Sequence, residues 1–266
     1  MSLVEHFLLS QFAAFMLVLA RVGGLVATAP ILNAQAAPVR FRALLAVSVS
    51  LLLTPMFSHA LPADVFSTPM LLSHLARETL LGLLLGFGVA LLLSGIQLAG
   101  QAISLMGGVA LADVFDPATN SNSTIYSQLL YFLTIAMFGI LGGHRLVMGA
   151  LLDTFSWLPP GRATLGESYV DALVTLLTHS FLLGIRAAAP TLTALLLATV
   201  VLGLVGRTLP QINILAVGFS VNQVMMLGAM AVSVGAIAWA FPQQIDHAVT
   251  LLLDSVRPVE AAPAAP

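Results

Sequence analysis

The sequence predicts an all-α fold of polytopic membrane type, made of helical hairpins with kinked or broken helices. Three observations carry this. Of 266 residues, 59% are hydrophobic and 8% charged, with a mean hydropathy of +1.03, whereas a soluble domain has roughly a quarter of its residues charged. Apolar stretches near twenty residues recur, the length needed to cross a hydrocarbon core of roughly 30 Å. Between the uncharged stretches Ala187–Gly206 and Thr208–Ile245, the run Arg207-Thr208-Leu209-Pro210-Gln211-Ile212-Asn213 places a cation, a helix breaker and two amides. Broken backbone at membrane depth is tolerated only where protein or a water-filled cavity covers it, and a lone charge there is costly. The chain is therefore expected to complete itself against partners or around a pore.

Apolar segments are predicted at about 7–29, 43–57, 78–103, 127–152, 170–206 and 212–241. The first is retained rather than cleaved, because Met1-Ser2-Leu3-Val4-Glu5-His6 lacks a cationic signal-peptide start. The second is short for a full crossing, which suggests a re-entrant, tilted or protein-shielded helix. The third carries Gly82, Gly86, Ala90 and Ser94 at intervals of four, a small-residue ridge that lets another backbone approach. The fourth holds a polar break at Gly142-Gly143-His144-Arg145. Arg186 and Pro190 divide the fifth, either into two helices or as one kinked helix. On the sixth, Gly228, Ala231, Gly235 and Ala238 form a second small-residue seam, and Met225, Met226 and Met230 serve as core filler or as a deformable seal. Packing within the chain is the default for both seams; contact with another subunit is the alternative. No internal repeat is evident, so residues 1–256 read as one helical domain, and the Pro/Ala-rich 257–266 as an extended tail.

Linkers follow the proline and polar punctuation at 30–38, 58–69, 113–124, 158–166 and 207–213. In that at 113–124, Asp116-Pro117 starts a turn and Asn120, Asn122 and neighbouring serines satisfy their own backbone. It reads either as an ordinary aqueous loop or as a flexible plug, the latter because Met106, Leu111 and Phe115 put apolar bulk beside it.

The nine basic residues are all arginine and lie scattered, and the net charge is −2. Successive phosphates need clustered cations, so no nucleic-acid partner is expected. Arg40 and Arg42 weakly place the first inter-helix loop in the cytoplasm. Arg21, inside the first apolar stretch, calls for a buried or interfacial partner. Arg77-Glu78 with His74 reads as an interfacial capping and ion-pair cluster, since one His and one Glu underfill a metal shell. There is no cysteine, no His-Glu-x-x-His, Walker loop or Gly-x-Ser-x-Gly, and the six histidines have no ligand spacing. No catalytic residue, cofactor or metal is expected. Every acidic residue lies in a loop or near a segment edge, which argues against a proton-coupled transporter; a self-contained multi-pass channel or secondary transporter remains the alternative class.

Several separated motifs, in order, resemble the FliR/SctT family of type III export-gate proteins over nearly the whole chain. They are Ala20-Arg21-Val22-Gly23 with Pro30, Pro38 and Arg42 leading to Pro55, Glu78 with Gly82-x-x-x-Gly86-Phe87, and Gln97-x-Ala99-Gly100. Then come Asp116-Pro117, Gly143-His144, Phe155 with Pro159, Ala189-Pro190, Arg207-x-x-Pro210-Gln211-x-Asn213 and Val217-Gly218-Phe219. Gln101 and Asn222 depart from the family's usual charged residues. The resemblance implies a non-enzymatic subunit built to pack in a hetero-oligomeric helical assembly with FliP-like and FliQ-like subunits, docking an FlhB-like one, in contact with membrane lipid. Its implied place is the bacterial inner membrane and flagellar basal body, part of the assembly raised to the periplasmic side, with unfolded flagellar proteins as cargo. An injectisome gate shares most of these motifs. By the same resemblance Met106, Gly107, Gly108, Leu111, Phe115, Asp116, Pro117 and Asn120 belong to a pore plug. Arg21, Glu78, Gly82, Gly86, Arg207, Pro210, Gln211 and Asn213 then serve packing and assembly.

Overall fold

The computed structural model describes residues 3–30, 38–58, 61, 68–108, 124–163, 168–209, 211 and 213–257, and among these described residues there are seven α-helices. They are α1 (Leu3–Thr28), α2 (Val39–Phe57), α3 (Thr68–Met106), α4 (Ile125–Ile140), α5 (Gly143–Trp157), α6 (Ser168–Thr208) and α7 (Ile214–Val256). All regular structure among the described residues is helical. Five helices are long and apolar enough to cross a membrane, and the α4–α5 pair, bent by 64°, can supply a sixth.

Several boundaries differ from those the sequence suggests, each for a local reason. The second segment begins at Val39, and its 19 residues span about 28 Å at 1.5 Å each, so it is not short for a crossing. Arg40 and Arg42 lie in its first turn. The third begins at Thr68, with Pro69 in its first turn where the missing N–H costs nothing. The last runs through Pro242 to Val256 because Ile245, Ala248, Val249, Leu252 and Val256 continue a buried stripe at helical spacing. The fifth segment is one helix that contains both Arg186 and Pro190. The fourth divides at Gly142, whose φ of 74° ends α4 in the left-handed conformation that glycine adopts without strain. The Gly142 carbonyl then accepts the Arg145 N–H at 2.8 Å to start α5.

The chain divides into two compact units. The first holds residues 1–91, 142–176 and 245–266. Its core holds Ala14, Leu17, Val18, Val22, Leu25 and Val26 of α1, Leu81 and Leu85 of α3, and Leu151 and Phe155 of α5, all buried. Backbone approach sets the α1–α3 spacing. A Cβ on Gly82 would strike the Arg21 carbonyl, one on Gly86 would strike the Thr28 hydroxyl, and one on Gly24 the Thr79 carbonyl. The Thr28 hydroxyl also lies 3.1 Å from the Leu83 carbonyl, a hydrogen bond between the two helices. At the other end, Arg257 stacks its guanidinium over Trp157, 4.5 Å from the ring centre. That residue, expected to open the extended tail, is thus held; residues 258–266 lie outside the described residues.

The second unit holds residues 92–141 and 177–244. Here α3 again uses glycine for close contact: Gly95 meets Ser180 and Gly184 of α6, and Gly100 meets Ser127 of α4. Thr191 and Ser233 join α6 to α7 by a buried hydroxyl pair at 2.8 Å. The two small-residue seams have opposite fates. Gly82 and Gly86 pack within the chain, whereas Gly228, Ala231, Gly235 and Ala238 are all exposed, with nothing within 4 Å of a Cβ on Gly228 or Gly235.

These environments make a paired prediction. Gly82→Ala should lower the stability of the purified chain by about 1–3 kcal/mol, the usual cost of forcing volume into a filled site. Gly228→Ala, in open space within a helix, should not lower it and should raise it by up to about 1 kcal/mol. Thermal unfolding in detergent checks both; an unaltered Gly82→Ala midpoint would contradict the close α1–α3 contact.

Candidate functional site

A fully buried ion pair occupies the centre of the first unit. Arg21 on α1 donates from Nε to Glu78 Oε2 of α3 at 2.5 Å, and both side chains are 0% exposed. The two terminal guanidinium nitrogens each find a partner as well. Nη1 donates to Thr154 Oγ1 at 3.2 Å and Nη2 to the Leu158 carbonyl at 2.9 Å. The Phe155 ring covers the cation, with Cζ 4.1 Å from its centre, and Phe57 stacks behind it at 5.2 Å. Glu78 uses its second oxygen, Oε1, to accept the Gly161 N–H at 2.7 Å.

Local sequence explains how that N–H is aimed. In Pro159-Pro160-Gly161-Arg162 the Arg162 N–H donates to the Pro159 carbonyl at 3.0 Å, and Gly161 has a φ of 85°. Proline in the second position and a positive-φ glycine in the third are what such a turn requires. Five elements of one unit thus converge: α1, α2, α3, α5 and the turn after it. Transferring two charges from water costs several kcal/mol each, and only full hydrogen bonding offsets it. Each guanidinium nitrogen has an acceptor, which uses three of the five N–H groups, and both carboxylate oxygens have donors, so these contacts offset much of that cost.

The sequence placed Glu78 in an interfacial cluster with Arg77 and His74. Instead it is wholly internal and paired with Arg21, which has a buried partner. Thr154, Leu158 and Gly161 were not singled out by sequence; the Pro-Pro-Gly turn beside Phe155 was the legible sign. Gly82, one turn after Glu78, abuts Arg21 itself, so Arg21, Glu78, Gly82 and Gly86 come together on the α1–α3 contact.

The remaining predicted residues lie in the second unit. Met106 is exposed, Gly107 is buried and Gly108 has a φ of 78°, closing the described end of α3. Leu111, Phe115, Asp116, Pro117 and Asn120 lie outside the described residues. The stems on either side are joined: Ser104 and Thr124 share a hydroxyl hydrogen bond of 2.7 Å, and Ser127 donates to the Gln97 carbonyl at 3.1 Å. Met226 and Met230 are buried while Met225 is exposed, and a Cβ on Gly107 would meet the Met226 sulfur. Arg207, Gln211 and Asn213 are exposed at the α6–α7 break, and Pro210 lies outside the described residues. Among the described residues no cluster of His, Asp or Glu could hold a metal ion.

The ion pair predicts a thermodynamic signature. Glu78→Ala or Arg21→Ala should each cost about 3–5 kcal/mol by stranding a buried charge, and the double replacement Arg21→Met with Glu78→Leu should be less damaging than either. Denaturant unfolding of the purified chain checks this; a double variant as unstable as the sum of the singles would contradict it.

Comparison with known proteins follows the same layout along the chain. The sequence profile of the bacterial export proteins, family 1, matches residues 12–248. The flagellar biosynthetic protein FliR of Escherichia coli strain K12 is 31% identical over 241 residues, 90% of each chain. The protein of the same name in Caulobacter vibrioides is 28% identical, covering 84% of this chain and 88% of the relative. That of Bacillus subtilis strain 168 is 25% identical, covering 92% of this chain and 96% of the relative. The profile match spans both units, from α1 into the last helix, and on that ground the chain belongs to the bacterial export proteins of family 1.

Proposed function

We propose that the chain is a non-enzymatic structural subunit of the bacterial flagellar type III export gate. In this reading it assembles in the inner membrane, at the flagellar basal body, with FliP-like, FliQ-like and FlhB-like subunits, and unfolded flagellar proteins pass through the pore they form. The names of its relatives support the flagellar assignment.

One observation carries the reading beyond likeness. Helix α6 has 41 residues and α7 has 43, each about 60 Å long at 1.5 Å per residue. Only 22% of the apolar window of α6 and 28% of that of α7 is buried within the chain. Exposed apolar residues run along α6 from Val170 and Phe181 to Val201 and Leu204, and along α7 from Phe219 to Trp239. A hydrocarbon core of roughly 30 Å covers about half such a length. The other half needs protein, which favours other subunits and an assembly that extends beyond the bilayer on its periplasmic side. The exposed Gly228–Ala238 seam suits close backbone contact with one of those subunits. Arg207, Gln211 and Asn213, at the turn between the two helices, act in this reading as an assembly joint. Residues 106–123 are the plug.

Affinity purification from the native host should recover the chain with other membrane subunits, and its deletion should abolish flagellar export. A monodisperse, solitary protein with export intact in the deletion strain would sink the proposal. Shortening Asp113–Thr124 should leak small solutes while complex yield holds, because it removes the plug and spares the helix contacts. Unchanged permeability would mean that the segment is a plain linker.

A further inference from the structure

Gln223, on α7, touches both ends of the segment between α3 and α4. Its amide oxygen accepts the Tyr126 phenol at 3.0 Å, and its amide nitrogen donates to the Gly107 carbonyl at 3.3 Å. The orientation is fixed chemically, because a backbone carbonyl only accepts and must face the NH2 group. Gly107 lies just before residues 109–123 and Tyr126 just after them. One turn along α7, fully buried Met226 packs on Gly107, so the same face of α7 grips the α3 end twice.

The residue type suits the task. A primary amide carries a donor and an acceptor on one short fork. Glutamate lacks the donor, lysine lacks the acceptor, and leucine lacks both. A neutral group also avoids placing a charge in apolar surroundings. Helix α7 begins at Ile214, directly after the break at 209–213, so a shift of its first turns registers at both stems at once.

We propose that Gln223 is a positioning residue that clasps the two stems of the 109–123 segment and sets their spacing; its consequence for sealing rests on the plug reading above. The test uses the intact assembly in its host, with Gln223→Met, which keeps volume and removes both bonds, and Tyr126→Phe, which removes one. Three quantities are read: complex yield, cellular uptake of a membrane-impermeant dye, and hydrogen exchange of the Gly107, Gly108 and Gln128 amides in the purified assembly. Gln223→Met should assemble at normal yield, exchange at the stems about tenfold faster, and take up dye at least about threefold faster, by the loss of two ordinary hydrogen bonds. Tyr126→Phe should fall between it and the unaltered protein. Unaltered exchange and uptake in Gln223→Met would overturn the clasp. If shortening 113–124 leaks while Gln223→Met stays tight with normal exchange, the clasp falls and the plug stands. If shortening stays tight while Gln223→Met exchanges faster, the hydrogen-bond clasp is upheld and the plug reading falls. Should Gln223→Met fail to assemble, Tyr126→Phe carries the test, and unaltered stem exchange in it overturns the clasp.

Discussion

The Arg21–Glu78 pair is a constraint on everything packed around it, because a charge without water must be satisfied at every donor and acceptor. Arg21 requires the Thr154 hydroxyl and the Leu158 carbonyl, which fixes the end of α5. Glu78 requires the Gly161 N–H, which fixes the turn beyond it. The pair also holds α1 and α3 at a separation that Gly24, Gly82 and Gly86 permit and any side chain there would prevent. In a chain whose apolar surfaces are largely interchangeable, oil-like packing alone specifies register weakly. A polar knot with four directed hydrogen bonds specifies one arrangement, since a slip by one residue strands both charges.

Around that fixed centre the chain leaves much apolar surface uncovered. The long helices α6 and α7 bury a minor share of their apolar windows internally, while α1 and α3 bury half or more. The contrast separates two jobs. Helices α1 and α3 serve the chain's own core, and α6 and α7 present faces to surroundings. Their length, about twice the thickness of a hydrocarbon core, means that lipid alone is a poor match. In the proposed assembly, neighbouring subunits would supply van der Waals contact along the part that lipid does not cover, and the exposed small residues of α7 would let a partner backbone come close. Polar hydrogen bonds such as Thr191 to Ser233 and Gln223 to its two partners then fix which helix neighbours which.

Much of this was legible in the sequence, unevenly and for physical reasons. Helix existence followed from apolar runs, and Gly142 as a helix break and Gly82 and Gly86 as a contact surface were visible from residue type and spacing. The partner of Glu78 was not. Sequence displays Arg77 and His74 as neighbours, while Arg21 is distant in the chain and close only after folding. The last segment, expected to end near 241, runs on through Pro242 because the buried stripe beyond it outweighs one missing hydrogen bond. The second seam, Gly228 to Ala238, looked like the first, and nothing local distinguishes a stripe that meets its own chain from one that does not. Gln223 went unnoticed because an amide on an apolar helix forms no spacing pattern of its own. Its meaning lies in Tyr126 and Gly107, which only the fold brings to it.

The proposed assembly requires that protein cover the part of α6 and α7 that a hydrocarbon core does not. Site-specific photocrosslinking in native membranes tests it most directly, with a photoreactive residue placed in turn at Val174, Phe181, Leu197 and Leu204 on α6 and at Val224 and Trp239 on α7, all exposed in the isolated chain. The account predicts adducts to other polypeptides from positions at both ends of α6 and along α7. Adducts to lipid alone at every position would contradict it.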